Sequence, residues 1–134
     1  MITAVDTNIL IDILEPDPDF GPSSRESLRK CMKEGAVVVC EVVLAEVATA
    51  YGDAGEEAIK ALHDIGLDFL PMNEEAVLKS AECWHIYRMK SKAAARNRIV
   101  ADFLIGGHAL VQADCLLTRD RGFYKEYFKK LKII

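Results

Sequence analysis

Ile2-Thr-Ala-Val-Asp-Thr-Asn-Ile-Leu-Ile-Asp-Ile-Leu14 opens the chain and decides how the rest is read. A short apolar run from Ile2 to Val5 ends at Asp6 and reads as a strand. Thr7 to Leu14 follows at once with helical character, so a strand hands over to a helix at an acidic residue. Beyond it, Glu15-Pro-Asp-Pro-Asp-Phe-Gly-Pro22 is the clearest break in the chain. Ser23 or Ser24 is placed to cap a helix that carries Leu28, Cys31 and Met32 on one side and stops at Gly35.

The same alternation continues to the C-terminus. Ala36 to Cys40 is short and β-branched, a second buried strand. Val42 to Tyr51 reads as a helix stopped by Gly52, and a further helix runs from about Gly55 to Ile65. Leu67 to Leu70 is a third strand, closed by Pro71. Asn73 is an N-cap candidate for a helix from Glu74 to Met89. Ser91 to Asn97 is basic and reads as a loop or bent helix, and Arg98 to Gln112 as an apolar helix. Cys115 to Leu117 is a fourth strand, Thr118 to Gly122 a turn. A short amphipathic helix carries Phe123, Tyr124, Tyr127 and Phe128, and Leu131 to Ile134 reads as a last strand. Strands alternating with helices predict one domain over residues 1–134, a three-layer α/β/α fold around a mainly parallel, roughly five-stranded sheet.

At 134 residues, 51% hydrophobic and 28% charged, the chain is long enough for one buried core and too apolar for wholesale disorder. The N-terminus has no basic region before its apolar stretch, and no apolar run spans a bilayer, so a cytoplasmic protein without a membrane partner is expected. Cys31, Cys40, Cys83 and Cys115 are scattered without a Cys-x-x-Cys pair, which reads as four reduced, buried thiols. Net charge is −4, but it is unevenly spread. Residues 1–87 hold 6 Lys/Arg against 17 Asp/Glu, and residues 88–134 hold 11 against 4. One basic surface beside an acidic one is the functional reading, and two solvated faces the bland one.

The informative residues are acids in apolar surroundings. Asp102 is the only charge in Ile99-Val-Ala-Asp-Phe-Leu-Ile-Gly-Gly-His-Ala-Leu-Val111, and Glu46 the only one in Val42-Val-Leu-Ala-Glu-Val-Ala-Thr-Ala50. A carboxylate in a buried helix needs a cation, hydrogen bonds or a proton. Asp6 and Asp120 follow predicted strands, and ligands in open α/β sheets bind at the carboxyl ends of strands. Four such acids within reach of one another would call for protons or a hard divalent cation, Mg²⁺ or Mn²⁺. Each also has an ordinary explanation. Asp6 could be a helix cap, Asp120 a turn residue, Glu46 a partner of a core arginine, and Asp102 a partner of Arg98 one turn away.

Taken together, Val5-Asp-Thr-Asn-Ile-Leu-Ile-Asp12, the isolated Glu46, Asp102-Phe-Leu-Ile-Gly-Gly-His-Ala-Leu110 and Leu116-Leu-Thr-Arg-Asp-Arg-Gly-Phe-Tyr124 resemble the PIN-domain ribonucleases, most closely the VapC toxins of VapBC toxin–antitoxin systems. The resemblance covers nearly the whole chain, although Cys40-Glu41 stands where the family often has Ser or Thr. It implies that Asp6, Glu46, Asp102 and Asp120 are the catalytic, metal-binding set and that Asn8 and Thr118 are polar supports. It leaves Asp12 and Asp114 as surface or capping residues. It implies metal-assisted hydrolysis of RNA, an antitoxin partner and a homodimer.

Arg96, Arg98, Arg119 and Arg121 are candidate contacts for RNA phosphates or an acidic antitoxin segment. His63, His85 and His108 belong to no catalytic motif. Other readings are a PIN-domain nuclease of RNA processing without an antitoxin, a non-catalytic binding domain of the same fold, and a phospho-acceptor receiver. The receiver needs an acceptor Asp after its third strand, which Leu67-Asp-Phe-Leu-Pro-Met-Asn73 lacks.

Overall fold

The computed structural model describes residues 1–90 and 98–134. Four parallel strands, β1 (Ile2–Val5), β2 (Ala36–Val39), β3 (Asp68–Phe69) and β4 (Cys115–Leu117), lie in the order β3-β2-β1-β4. Ala4 pairs with Val38 on one side of β1 and with Leu116 on the other. Parallel neighbours need crossover connections, and helices supply them: α1 (Thr7–Leu14), α2 (Gly21–Glu34), α3 (Glu41–Tyr51), α4 (Gly55–Ile65), α5 (Glu74–Lys90), α6 (Val100–Gln112) and α7 (Arg121–Tyr127).

Successive residues Thr3, Ala4 and Val5 are all buried, as are Val37 to Val39 and Cys115 to Leu117. Successive strand side chains point to opposite faces, so both faces of the sheet are covered. This is why the strands read as continuous apolar runs without alternation, and it gives the expected layered α/β architecture.

Several boundaries differ from the sequence reading by a residue or two, and three differences matter for the site and its surroundings. The segment expected as a fifth strand contributes only a bridge between Leu116 and Ile133, with Leu116 N–H donating to Lys132 O and Ile134 N–H to Leu116 O. The helix expected to be capped by Ser23 or Ser24 begins earlier, at Gly21, with Pro22 in its first turn. Ser24 faces inward there and donates to Asp12 at 2.7 Å. The apolar helix starts at Val100, so Arg98 stands just before it. Asn73 does cap α5, its side chain accepting from Ala76 N–H at 2.9 Å. The basic stretch Ser91 to Asn97, with Lys92 and Arg96, lies outside the described residues. No helix among the described residues is long and apolar enough to cross a membrane.

The C-terminal half of the core is aromatic. Phe103 on α6 meets Phe123 edge-on at 5.2 Å and Tyr87 of α5 at 5.3 Å, and Tyr124 and Phe128 extend the cluster. These contacts fix α7 against α6. Close approach between α5 and α6 depends on Gly107, where an added Cβ would fall 1.9 Å from Ser80 Oγ and 2.7 Å from Ala76 O. Gly107→Ala is therefore expected to destabilise the fold by about 2 kcal/mol through overpacking, read as a lower denaturation midpoint at unchanged slope.

Candidate functional site

The chain leaves β1 toward β2 and β3 on one side and returns to β4 on the other, so strand order reverses at β1. Crevices at such switch points open at the carboxyl ends of the strands. Asp6 follows β1, and Thr118 to Asp120 follow β4. Asp6 N–H donates to Leu117 O at 3.0 Å, which draws the two strand ends together.

Asp6 is only 6% exposed and is wrapped in donors. Its carboxylate accepts from Thr7 N–H at 2.8 Å, from Thr118 Oγ1 at 2.7 Å and from Asn8 Nδ2 at 3.2 Å. The Tyr124 phenol, buried on α7, interacts electrostatically with it. Thr118 Oγ1 in turn accepts from Asp120 N–H at 3.0 Å, so one hydroxyl ties Asp6 to the loop that carries Asp120.

Glu46 reaches the group from α3. Thr7 Oγ1 donates to its Oε1 at 2.7 Å, and the negative charge of Glu46 acts on Asp6. Burial first, and Glu46 second, outweigh the donors and push the Asp6 carboxyl up to about 6. Among the described residues no Lys or Arg pairs with Asp6 or Glu46.

The other two acids share a cation. Arg98 grips Asp120 with both arms of its guanidinium, at 2.5 and 3.3 Å, and lies 3.9 Å from Asp102. Asp102 stands in the first turn of α6, where the partial positive charge of the helix terminus favours it. Burial nevertheless raises its carboxyl, with Arg98 pulling the other way. Asp120 acts electrostatically on Asp102, and Asp6, Asp102 and Asp120 all act on Tyr124, whose phenol burial and these charges hold well above its usual range. Tyr124 therefore sits among three of the acids.

The four predicted acids thus form two pairs, Asp6 with Glu46 and Asp102 with Asp120, linked through Thr118 and Tyr124. Among the described residues no three acids close into a single cluster. The donor set is all oxygen and carboxylate-rich, which suits a hard divalent cation. Asp6, deeply buried and with no cation opposite it among the described residues, carries the deficit that such an ion would fill.

Asp12 departs from the reading of the sequence. It was expected as a surface or capping residue, yet it is 4% exposed and paired with Arg119 at 2.7 and 3.0 Å. Helical spacing places it on the face shared with Ile9, turned toward α2. There it needs a cation, and the Arg119 guanidinium supplies one while lying over the Phe20 ring at 4.2 Å. Arg119 N–H donates to Asn8 Oδ1 at 3.3 Å, so this pair also braces the support beside Asp6. Asp114 is exposed and accepts from Ile2 N–H at 2.6 Å.

Arg121 is exposed, and Arg96 lies outside the described residues. His108 is buried with Nε2 2.9 Å from Leu70 O, and His63 and His85 are exposed. The four cysteines are free and buried. Thr7, which joins Asp6 to Glu46, and Tyr124 are site neighbours that sequence reasoning missed. Tyr124 had a signal, its place four residues after Asp120, one helical turn into α7.

A parallel sheet with acids gathered at its switch point defines an α/β domain with a carboxylate-rich crevice at its strand ends. The chain belongs to the PIN domain family, which it matches over residues 3–129. Its fold is similar to solved structures along their whole length. VapBC2 from Rickettsia felis, bound to a DNA fragment from its promoter, superposes with a TM-score of 0.77 at 21% identity, covering 100% of this chain and 98% of that one. VapBC-1 from nontypeable Haemophilus influenzae gives 0.71 at 21% identity, with 100% and 97% coverage. A toxin–antitoxin complex from Klebsiella pneumoniae gives 0.67 at 15% identity, with 98% and 95% coverage. No curated protein matches the sequence significantly.

The raised Asp6 carboxyl makes stability depend on pH. Asp6 titrates at 3.8 in its ordinary state and at about 6 in the fold. Between those values the folded chain keeps a proton that the unfolded chain has lost, so the Asp6 contribution falls as pH rises from about 4 to about 6. The full span is about 3 kcal/mol. The difference in melting temperature between metal-free wild type and Asp6→Asn should therefore move in favour of the variant across that window and level off above it. A difference that stays constant across the window contradicts the assignment.

Proposed function

We propose that this chain is a divalent-metal-dependent ribonuclease, the toxin member of a toxin–antitoxin pair. The observation that carries the reading is the Asp6 carboxylate. It is buried at the switch point, faces no cation among the described residues, and is linked through Thr118 and Tyr124 to the loop and helix that bring Asp120 and Asp102.

In this reading Asp6, Glu46, Asp102 and Asp120 hold Mg²⁺ or Mn²⁺. When bound, the ion supplies a water of lowered pKa and a Lewis acid for the phosphodiester. The chain's own residues set the frame. Thr118 and Asn8 fix the orientation of Asp6, and Thr7 fixes that of Glu46. The aromatic cluster holds α6 and α7 so that Asp102 and Tyr124 converge on the same pocket. Arg121, exposed beside Asp120, is available to an RNA phosphate or to an acidic antitoxin segment. Arg96 and Arg98 are assigned the same class of contact, with Arg98 at present engaged by Asp120. Arg119 supports this surface through Asp12.

The similar folds include VapBC2, VapBC-1 and a complex titled as toxin–antitoxin, which supports an antitoxin-type partner for this chain. α5 exposes Leu78, Ile86 and Met89 on one side, interleaved with Glu75 and Glu82, and a homodimer is part of this reading.

The test is cleavage of a fluorogenic RNA by purified protein. Activity is expected with Mn²⁺ or Mg²⁺, lost in EDTA, and reduced at least about a hundredfold in Asp6→Asn and in Asp102→Asn, because losing even an outer partner of a metal ligand costs ten- to a hundredfold. Cleavage that survives EDTA, or survives both substitutions, overturns the reading.

A further inference from the structure

Arg98 is held by more contacts than a surface arginine needs. Its backbone N–H donates to the Tyr87 hydroxyl at 3.1 Å, and its guanidinium lies over the Phe123 ring at 4.3 Å. The same guanidinium takes Asp120 in a two-armed grip and stands 3.9 Å from Asp102. The side chain keeps 30% of its exposure, so it has solvent to move into while the backbone anchor stays.

A guanidinium does not lose its proton at any physiological pH, so this positive charge is permanent. It stands on the two carboxylates that, in the proposed function, would also hold a divalent cation. The Asp6–Glu46 pair has no such guest among the described residues. The acidic group is therefore partly neutralised on the Asp102–Asp120 side and, among the described residues, faces no cation on the other.

We infer that Arg98 is a built-in counterion of the acidic site, which holds Asp120 and Asp102 together while the divalent cation is absent and releases Asp120 when the cation binds. This rests on the metal reading above. Two positive charges cannot share one carboxylate without repulsion, so loading and the Arg98–Asp120 pair oppose each other. The pair holds Asp102 and Asp120 beside each other against their mutual repulsion. It also makes the metal affinity of the protein lower than its four carboxylates alone would set. Once released, the planar fork remains tethered at Tyr87 beside the site, in a form suited to a phosphate group.

The test is Mn²⁺ binding to metal-free protein, followed by the electron paramagnetic resonance signal of free Mn²⁺. Arg98→Gln is expected to bind Mn²⁺ roughly tenfold more tightly than wild type, within the usual range of coupling between linked sites. Equal or weaker binding by Arg98→Gln, with wild type binding normally, overturns this inference and leaves the metal reading standing. No binding by wild type overturns the metal reading, and this inference with it. A measurement that needs no variant accompanies it. In wild type, titration with Mg²⁺ should shift the Arg98 Nε–Hε resonance, and a resonance that stays unmoved while Mg²⁺ binds overturns the inference.

Discussion

One carboxylate at the end of β1 sets the terms for the rest of the molecule. β1 lies inside the sheet, and its last residues are buried on both faces, so Asp6 emerges where water is largely excluded. A charge there is tolerable only because donors surround it: Thr7 N–H and Asn8 Nδ2 in the first turn of α1 and the Thr118 hydroxyl after β4. The Thr118 hydroxyl comes from a distant part of the chain, so β4 must be in place before Asp6 is satisfied. Even then its carboxyl remains raised, to about 6, which means that the folded protein holds Asp6 under electrostatic stress at neutral pH.

The two halves of the acidic group meet this difficulty differently. Around Asp6 and Glu46 the charge is dispersed among hydrogen bonds. Around Asp102 and Asp120 it is met by a whole cation, Arg98, itself fixed by Tyr87 and Phe123. Packing and electrostatics are therefore joined: the aromatic cluster that closes the core also aims the arginine and the tyrosine at the acids. The Asp12–Arg119 pair repeats the arrangement one turn below, where a buried carboxylate and a stacked guanidinium brace Asn8.

The order of strands and helices was legible from the sequence because breakers and β-branched runs are local signals. Gly35, Gly52, Gly66 and Pro71 punctuate the chain where elements stop. What stayed hidden depends on tertiary geometry. Asp12 carries no mark distinguishing a buried carboxylate from an exposed one, since its partner lies 107 residues away. Ser24 looked like a cap because caps and buried hydroxyls draw on the same residue types. The weight given to the four acids also shifts. Glu46 and Asp102, chosen for their apolar surroundings, lie at helix positions that keep partial access to solvent, whereas Asp6, ordinary as a helix cap, is the deepest of them. Apolar neighbours in sequence did not report burial, because Asp102 stands in the first turn of α6 and Glu46 lies on a half-exposed side of α3. Tyr124 was placed only on a short amphipathic helix; it is buried, and its phenol feels Asp6, Asp102 and Asp120, which no periodicity reveals.

The central claim is that a divalent cation is held among these four acids. Crystals of the protein soaked in Mn²⁺, measured at a wavelength where manganese scatters anomalously, test it most directly. The account predicts an anomalous peak within about 2–2.5 Å of carboxylate oxygens of Asp6 and of at least one of Asp102 and Asp120. A peak elsewhere on the surface, or none at a concentration that supports cleavage, would contradict it.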